Sequence, residues 1–386
     1  MRAPDVIVVG GGVVGVSVAF HLAREGMSVS LLERDGLAAG ASGAAAGMLA
    51  PIGEAPAPGP LLRLGLLALH GFEALCTELR ERSGIDPQYE ASGALRIALG
   101  DEEAQALRAR ALVVAADPEL GVELEWLDPA AARAMEPALS FATRGAIWSP
   151  REGHVLSPLL TRAYAAGAAA LGARIETGVP VEGLVCDGDA VEGVRTSTGP
   201  RPAGAVVLCA GAWTPGCIGW LPSARPDLLP VVPVRGQIVA LEARRPGPGI
   251  IISGSRAYLV PKRDGTLIVG ATEEHVGFDC RVTAGGVRGL LDAAPSLVPE
   301  LAGASFRGAS AGLRPGSPDG LPALGAWPGA RGLFVAAGHH RNGVLLSAVT
   351  GRWVADLVRG KALPNEARAL ALERFAGPPS ERYPIG

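Results

Sequence analysis

The sequence predicts a mixed α/β protein in which a layer of parallel strands and helices is interleaved with a second domain built on an antiparallel sheet. Three observations predict it. A buried strand runs into glycines and an amphipathic helix at residues 6–26. Two further apolar strands ending in small residues, AVVLCAGAW at 205–213 and GLFVAAG at 332–338, stand far away in the chain. Between 230 and 281 the apolar pattern shortens into alternating strands with turns such as KRDG. Pieces of the first layer at the start, middle and late part of the chain make the second domain an insertion, not an appendage.

The opening stretch VIVVGGGVVG carries the first argument. Four β-formers at 6–9 read as a strand covered on both faces. Gly10, Gly12 and Gly15 then fit G-x-G-x-x-G, in which the first glycine permits a tight turn, the second lets a phosphate approach the backbone and the third lets the helix pack closely. Val16, Ala19, Phe20 and Ala23 recur at helical spacing, and Gly26 closes the helix. A second strand, 29–32, ends in Glu33, whose carboxylate suits both hydroxyls of a ribose. The competing reading is a merely tight turn between strand and helix. The register of strand, glycines, helix, strand and acid predicts a Rossmann-like dinucleotide site and does not choose NAD from FAD.

The remaining elements follow in order. EAPAPGP, 54–60, reads as a loop, and 61–82 as largely helical, stopped by Gly84. A strand at 92–99 precedes a helix at 101–116 opened by acids. At 157–172 the spacing predicts a helix capped by Ser157, with Pro158 first and Gly172 last. ARIETG follows as a strand, then a hairpin around Gly188-Asp189 and a helix in the latter part of 339–360. This order assigns 1–86, 148–222 and 309–365 to the nucleotide domain, 87–147 and 223–308 to the second domain, and 366–386 to a C-terminal tail.

Composition narrows the class. A chain of 386 residues can bury a sizeable core in two domains. A net charge of −3 with no basic cluster argues against nucleic acid. The five cysteines are scattered and never spaced C-x-x-C, which reads as a reduced, cytoplasmic setting. The uncharged run between Asp5 and His21 is interrupted by glycines and is shorter than the ~20 residues a membrane span needs. Only Lys262 and Lys361 among 35 basic residues are lysine, and asparagine and glutamine are scarce, a bias that fits GC-rich coding and also a thermophilic source.

Five motifs together resemble the D-amino-acid oxidase family of flavoproteins: VVGGGVVG with Glu33, ASGAAAGMLAP at 41–51, AGAW at 210–213, GLRPGSPDGLPALG at 312–325 and GHHRNGVLLSAVTG at 338–351. The likeness is strongest to the branch that oxidises glycine and feeds the thiazole of thiamine. It spans nearly all of residues 5–360. It implies an FAD-binding domain interleaved with a substrate domain, and a homo-oligomer, commonly a tetramer. It also implies non-covalent FAD, because a relative that attaches its flavin does so through a cysteine in the segment matching 312–325, where this chain has none.

The resemblance carries residue roles with it. Val13 and Val14 fall beside the pyrophosphate, Glu33 and Arg34 at the ribose, and Ala41 and Ser42 along the phosphates. Ala46, Gly47 and Met48 pass the flavin ring, Gly211 belongs to the cofactor set, and Val181 meets adenine. His339, His340, Arg341, Asn342, Gly343, Val344 and Leu345 close over the flavin. Arg314 holds the substrate carboxylate, with Tyr258 and Arg341 completing the pocket. A guanidinium matches a carboxylate through two parallel hydrogen bonds. The bland alternatives are that the AAAGM stretch only starts a helix and that Arg314 only pairs with an acid such as Asp319. The chain departs from the family at His340, where an aromatic is common, and at Glu273 and Glu274, where some relatives carry an apolar residue near the substrate. The paired histidines lack a third ligand at useful spacing, so no metal is expected.

The activity implied is oxidative deamination of a small amino acid, with hydride passing from its α-carbon to FAD and oxygen giving hydrogen peroxide. No amino-acid general base is required, so no catalytic side chain is singled out. Sarcosine or D-amino-acid oxidases and quinone-linked dehydrogenases are the rival enzymes. A non-catalytic flavin-binding subunit of a larger oxidase is the rival from outside catalysis.

Overall fold

The computed structural model describes residues 3–376 apart from 56, 222–223 and 244–246, and the counts below refer to those residues. Six strands form the nucleotide layer in the order Ala323–Ala326, Leu333–Ala337, Ala205–Leu208, Val6–Val9, Val29–Glu33, Arg174–Thr177. All neighbours run parallel except the first pair. Val6–Val9 is central and buried on both faces, as its unbroken apolar run requires.

Helix Val13–Arg24 lies between helices Ser157–Ala170 and Gly343–Val358. The contact with the last is very close: a Cβ on Gly351 would fall 2.3 Å from Ser17 Oγ. Ser17 Oγ donates to the Ser347 carbonyl at 2.8 Å across this seam. Ser157 does not cap its helix as expected. Its hydroxyl donates to the Ser42 carbonyl at 2.6 Å, because the nucleotide loop lies within reach while Leu156 takes the cap position.

The second sheet has eight strands, ordered Ser305–Gly316, Val232–Glu242, Thr266–Gly270, Tyr258–Pro261, Ile251–Ser253, Ala94–Ala98, Gly145–Ser149, Glu125–Leu127. It is antiparallel except where Ile251–Ser253 pairs with Ala94–Ala98. Helix Ala284–Leu297 covers one face and buries Leu290, Ala293, Ala294 and Leu297 among the aliphatic side chains of the sheet.

Three expectations need correction. The division at residue 309 runs through the strand Ser305–Gly316, whose whole length pairs with Val232–Glu242, so residues 309–316 belong to the large sheet while reaching the nucleotide loop. Of the expected tail, residues 366–376 pack as 3-10 turns with Leu370, Leu372 and Phe375 buried, since those apolar side chains cover the edge near Ala323–Ala326. Residues 377–386 lie outside the described residues. Of the expected loop 54–60, Glu54 ends the short helix Pro51–Glu54 and Pro60 opens the next, while residue 56 is outside the described set.

Candidate active and cofactor site

The turn after Val6–Val9 is closed by backbone contacts that exclude side chains. Gly10 has φ +114°, and a Cβ on it would sit 2.5 Å from the Cys209 carbonyl oxygen. A Cβ on Gly15 would sit 2.0 Å from the Gly10 carbonyl oxygen, so Gly15 lets the helix lie on the turn. Gly12 differs. A Cβ there would meet only Ser42 Oγ, at 3.3 Å, and otherwise enters a cavity of about 670 Å³. Every expected cofactor and substrate residue except Gly15 lines this cavity.

At the ribose end, Glu33 Oε2 accepts the Gly11 N–H at 2.5 Å and Oε1 accepts the Asp35 N–H at 2.8 Å. The carboxylate is thus fixed beside the turn with lone pairs left for hydroxyl donors. Arg34 stacks over the Trp213 ring at 4.4 Å. Ser42 Oγ accepts the Val13 N–H at 2.9 Å, placing its hydroxyl at the helix start where phosphates are favoured. Along the middle, small residues at 44–47 form a slot for a flat ring. A side-chain-free turn, a fixed carboxylate and a slot of small residues fit FAD.

The slot is braced from behind. Lys262 Nζ donates to the carbonyls of Ala46 (2.7 Å) and Val155 (3.0 Å) and lies 3.5 Å from His154 Nδ1. Burial pushes the Lys262 pKa down to about 7, and Asp264 opposes the shift. Burial, then the Lys262 and Arg263 charges, push His154 down to about 3. Met48 and Leu49 pair antiparallel with His154 and Gly153, which fixes this segment from the same side as Lys262.

At the substrate end, Arg314 points from the strand Ser305–Gly316 into the cavity. Its Nη1 donates to the Thr272 carbonyl at 3.0 Å, and Tyr258 lines the same cavity. Among the described residues no carboxylate lies within ion-pair distance of it, and Asp319 is held by Arg374 at 2.7 Å. Burial lowers the Arg314 pKa from its ordinary value, while burial raises that of Tyr258 and the Arg314 charge opposes the rise. Two glycines make room. A Cβ on Gly236 would fall 2.3 Å from Arg314 Cζ, and one on Gly270 would fall 2.4 Å from the Tyr258 hydroxyl.

Arg341 lines the cavity but is not open in the way Arg314 is. Its Nε and Nη2 donate to Glu54 Oε2 and Oε1 at 2.5 and 3.0 Å, and its Nη1 lies 3.7 Å from Glu273 Oε2. His340 adopts φ +45°, a strained conformation for a side chain of its size, with Nε2 buried and 3.8 Å from Glu273 Oε1. Burial lowers its pKa, and the Glu273 charge opposes this. The other members of the two pairs turn away: His339 Nε2 lies 2.9 Å from Thr350 Oγ1, and Glu274 bonds Gln237 and Arg235 behind the site. Sequence reasoning missed Glu54, Gly236, Trp213 and Lys262. Only Trp213, within AGAW, carried a local signal.

The model of the "FAD dependent oxidoreductase" family matches residues 5–357. Glycine oxidase of Geobacillus kaustophilus is 39% identical over 97% of both chains, and the crystal structure of glycine oxidase from that organism superposes with a TM-score of 0.90 at 38% identity, covering 96% of this chain and 99% of that one. A bifunctional protein ThiO/ThiG of Synechocystis is 34% identical over 96% of this chain, which spans 54% of that protein. The crystal structure of iminodiacetate oxidase from Chelativorans superposes with a TM-score of 0.85 at 28% identity, over 95% of this chain and 98% of that one. With a family match that runs through both sheets and into the helix that closes the cavity, this chain belongs to the FAD-dependent oxidoreductase family.

Proposed function

We propose that the chain carries out oxidative deamination of glycine or another small amino acid: amino acid, oxygen and water give oxo acid, ammonia and hydrogen peroxide. The observation that carries this reading is a buried guanidinium, Arg314, without a carboxylate partner among the described residues and in the same cavity as the dinucleotide cradle. Bound FAD supplies the chemistry, accepting hydride from the substrate α-carbon and passing electrons to oxygen. Gly12, Val13, Val14 and Ser42 would hold its pyrophosphate, Glu33 its ribose, and Ala46 to Met48 its ring.

The substrate work falls to the chain's own groups. Arg314, with one nitrogen fixed by the Thr272 carbonyl, offers its remaining N–H groups to the carboxylate and so fixes where the α-carbon lies. Tyr258 fills the wall beside it and excludes water. The imine formed before hydrolysis is a suitable donor for a thiazole, which the ThiO/ThiG relative supports.

The test is a peroxide assay of the purified protein with glycine, sarcosine, D-alanine and D-proline. We expect a yellow protein that releases intact FAD on heating and is most active on glycine. Preference for another of the four would reassign the substrate; no peroxide but reduction of an artificial quinone acceptor would make the protein a dehydrogenase, and neither with any of the four would favour a flavin-binding subunit. Free cysteines, three of them buried, support a cytoplasmic setting. A homo-oligomer is expected by size-exclusion chromatography. Among the described residues no helix is long and apolar enough to cross a membrane.

A further inference from the structure

Two guanidinium groups face the substrate end of the cavity, and the chain treats them differently. Arg314 has no carboxylate within ion-pair distance among the described residues, whereas Glu54 occupies the Nε and Nη2 edge of Arg341 with both oxygens, at 2.5 and 3.0 Å. The Glu54 side chain is only 9% exposed. Its position is imposed by the short helix Pro51–Glu54. The buried Glu152 carboxylate accepts the Ile52 N–H at 2.6 Å, Arg96 Nη1 donates to the Gly53 carbonyl at 2.8 Å, and Arg110 donates to the carbonyls of Ile52 and Ala55. The acid is therefore held from below and does not rely on Arg341 for its place.

A substrate with one carboxylate needs one open guanidinium. A substrate with two needs a second. Of the two other guanidinium groups lining the cavity among the described residues, Arg34 stacks on Trp213 at the ribose end and Arg341, at the substrate end, is filled from within the chain. We propose that Glu54 is a specificity-determining residue, which restricts the site to amino acids with a single carboxylate by occupying the fork of Arg341. The proposal rests on the reading of Arg314 as the carboxylate anchor. Removing Glu54 frees the Nε and Nη2 edge of Arg341, whose side chain is 35% exposed, with only the more distant Glu273 near it, and an open guanidinium fork of this kind matches a ligand carboxylate.

The test compares the parent with Glu54→Ala, Glu54→Gln, Arg314→Ala and the double variant Glu54→Ala/Arg341→Ala. Glycine and iminodiacetate kinetics are measured on each, with malonate and acetate binding followed by titration calorimetry on the FAD-loaded proteins. In Glu54→Ala the ratio of iminodiacetate to glycine kcat/KM is expected to rise about tenfold or more, and malonate to tighten relative to acetate by a similar factor, about 1.4 kcal/mol. Glu54→Gln should move the same way by less, and the double variant should lose the gain. Unchanged ratios in both single variants, or loss of FAD from both, would overturn the proposal and leave Glu54 a structural partner. Arg314→Ala separates the two readings: unaltered glycine kinetics there removes the anchor while leaving the Glu54 ratios to be judged alone.

Discussion

The guanidinium of Arg314 lies directly over the Cα of Gly236 on the neighbouring strand, so that a methyl group on Gly236 would fall 2.3 Å from Cζ and Nη2 and 2.5 Å from Nη1. The obstructed atoms are the end of a flexible side chain, so Gly236→Ala should fold. The guanidinium must move, and the KM for glycine should rise on the order of tenfold, about 1.4 kcal/mol, with FAD content unchanged. Unaltered KM would show that Arg314 does not set substrate affinity.

Arg314→Ala removes the anchor outright. Truncating one partner of a desolvated charge pair costs about 2–5 kcal/mol, so the apparent constant for glycine should rise roughly thirty-fold or more. Ethylamine, which has no carboxylate, should be a poor substrate of the parent and lose far less. Equal losses for both amines, or loss of flavin, would assign Arg314 to the fold.

Gly12→Val tests the cofactor cradle without a clash against the backbone, since only the Ser42 hydroxyl lies near the added carbon. The new methyl groups occupy space needed by the pyrophosphate. The variant should purify colourless with a far-UV circular dichroism spectrum close to that of the apoprotein. Normal flavin occupancy would make the turn purely structural.

Lys262 links stability to pH. Its pKa is about 7 when folded against an ordinary value of 10.5, so between these values the unfolded chain binds more protons and stability from this group increases as pH rises. Below about 7 the buried ammonium is fully penalised. The stability of the parent minus that of Lys262→Met should therefore increase from pH 7 to pH 10, by up to about 1.4 kcal/mol per pH unit. Denaturant melts at three pH values measure this. A flat difference would mean that Lys262 titrates as if exposed.

What was legible in the sequence was local. The turn at Gly10 to Gly15 declares itself because strand, glycines and helix are consecutive, and Arg314 because glycines and proline surround it. Glu54 was hidden since its partner, Arg341, lies 287 positions away, and a carboxylate at a helix end looks like any solvated acid. Gly236 was hidden for the same reason: its need to be glycine comes from a side chain on another strand. Ser157 shows a local rule losing to a tertiary partner, its hydroxyl drawn to the Ser42 carbonyl although sequence and position suit a cap. Of the adjacent acids, Glu273 faces Arg341 while Glu274 is captured by Arg235, a choice set by the bridge between Arg235 and Glu274.

The strand order of the nucleotide sheet bears on how the chain comes to exist at all. Val6–Val9 is synthesised well before Ala205–Leu208, which pairs one of its two edges, and that strand in turn before its own neighbour Leu333–Ala337. Until each later partner has been made, an apolar strand therefore waits with an open edge, the condition under which nascent chains stick to one another. Production in a foreign host should respond strongly to slower translation, lower temperature or added chaperone. Polypeptides ending before residue 333 should collect as aggregates, however well their own motifs are formed.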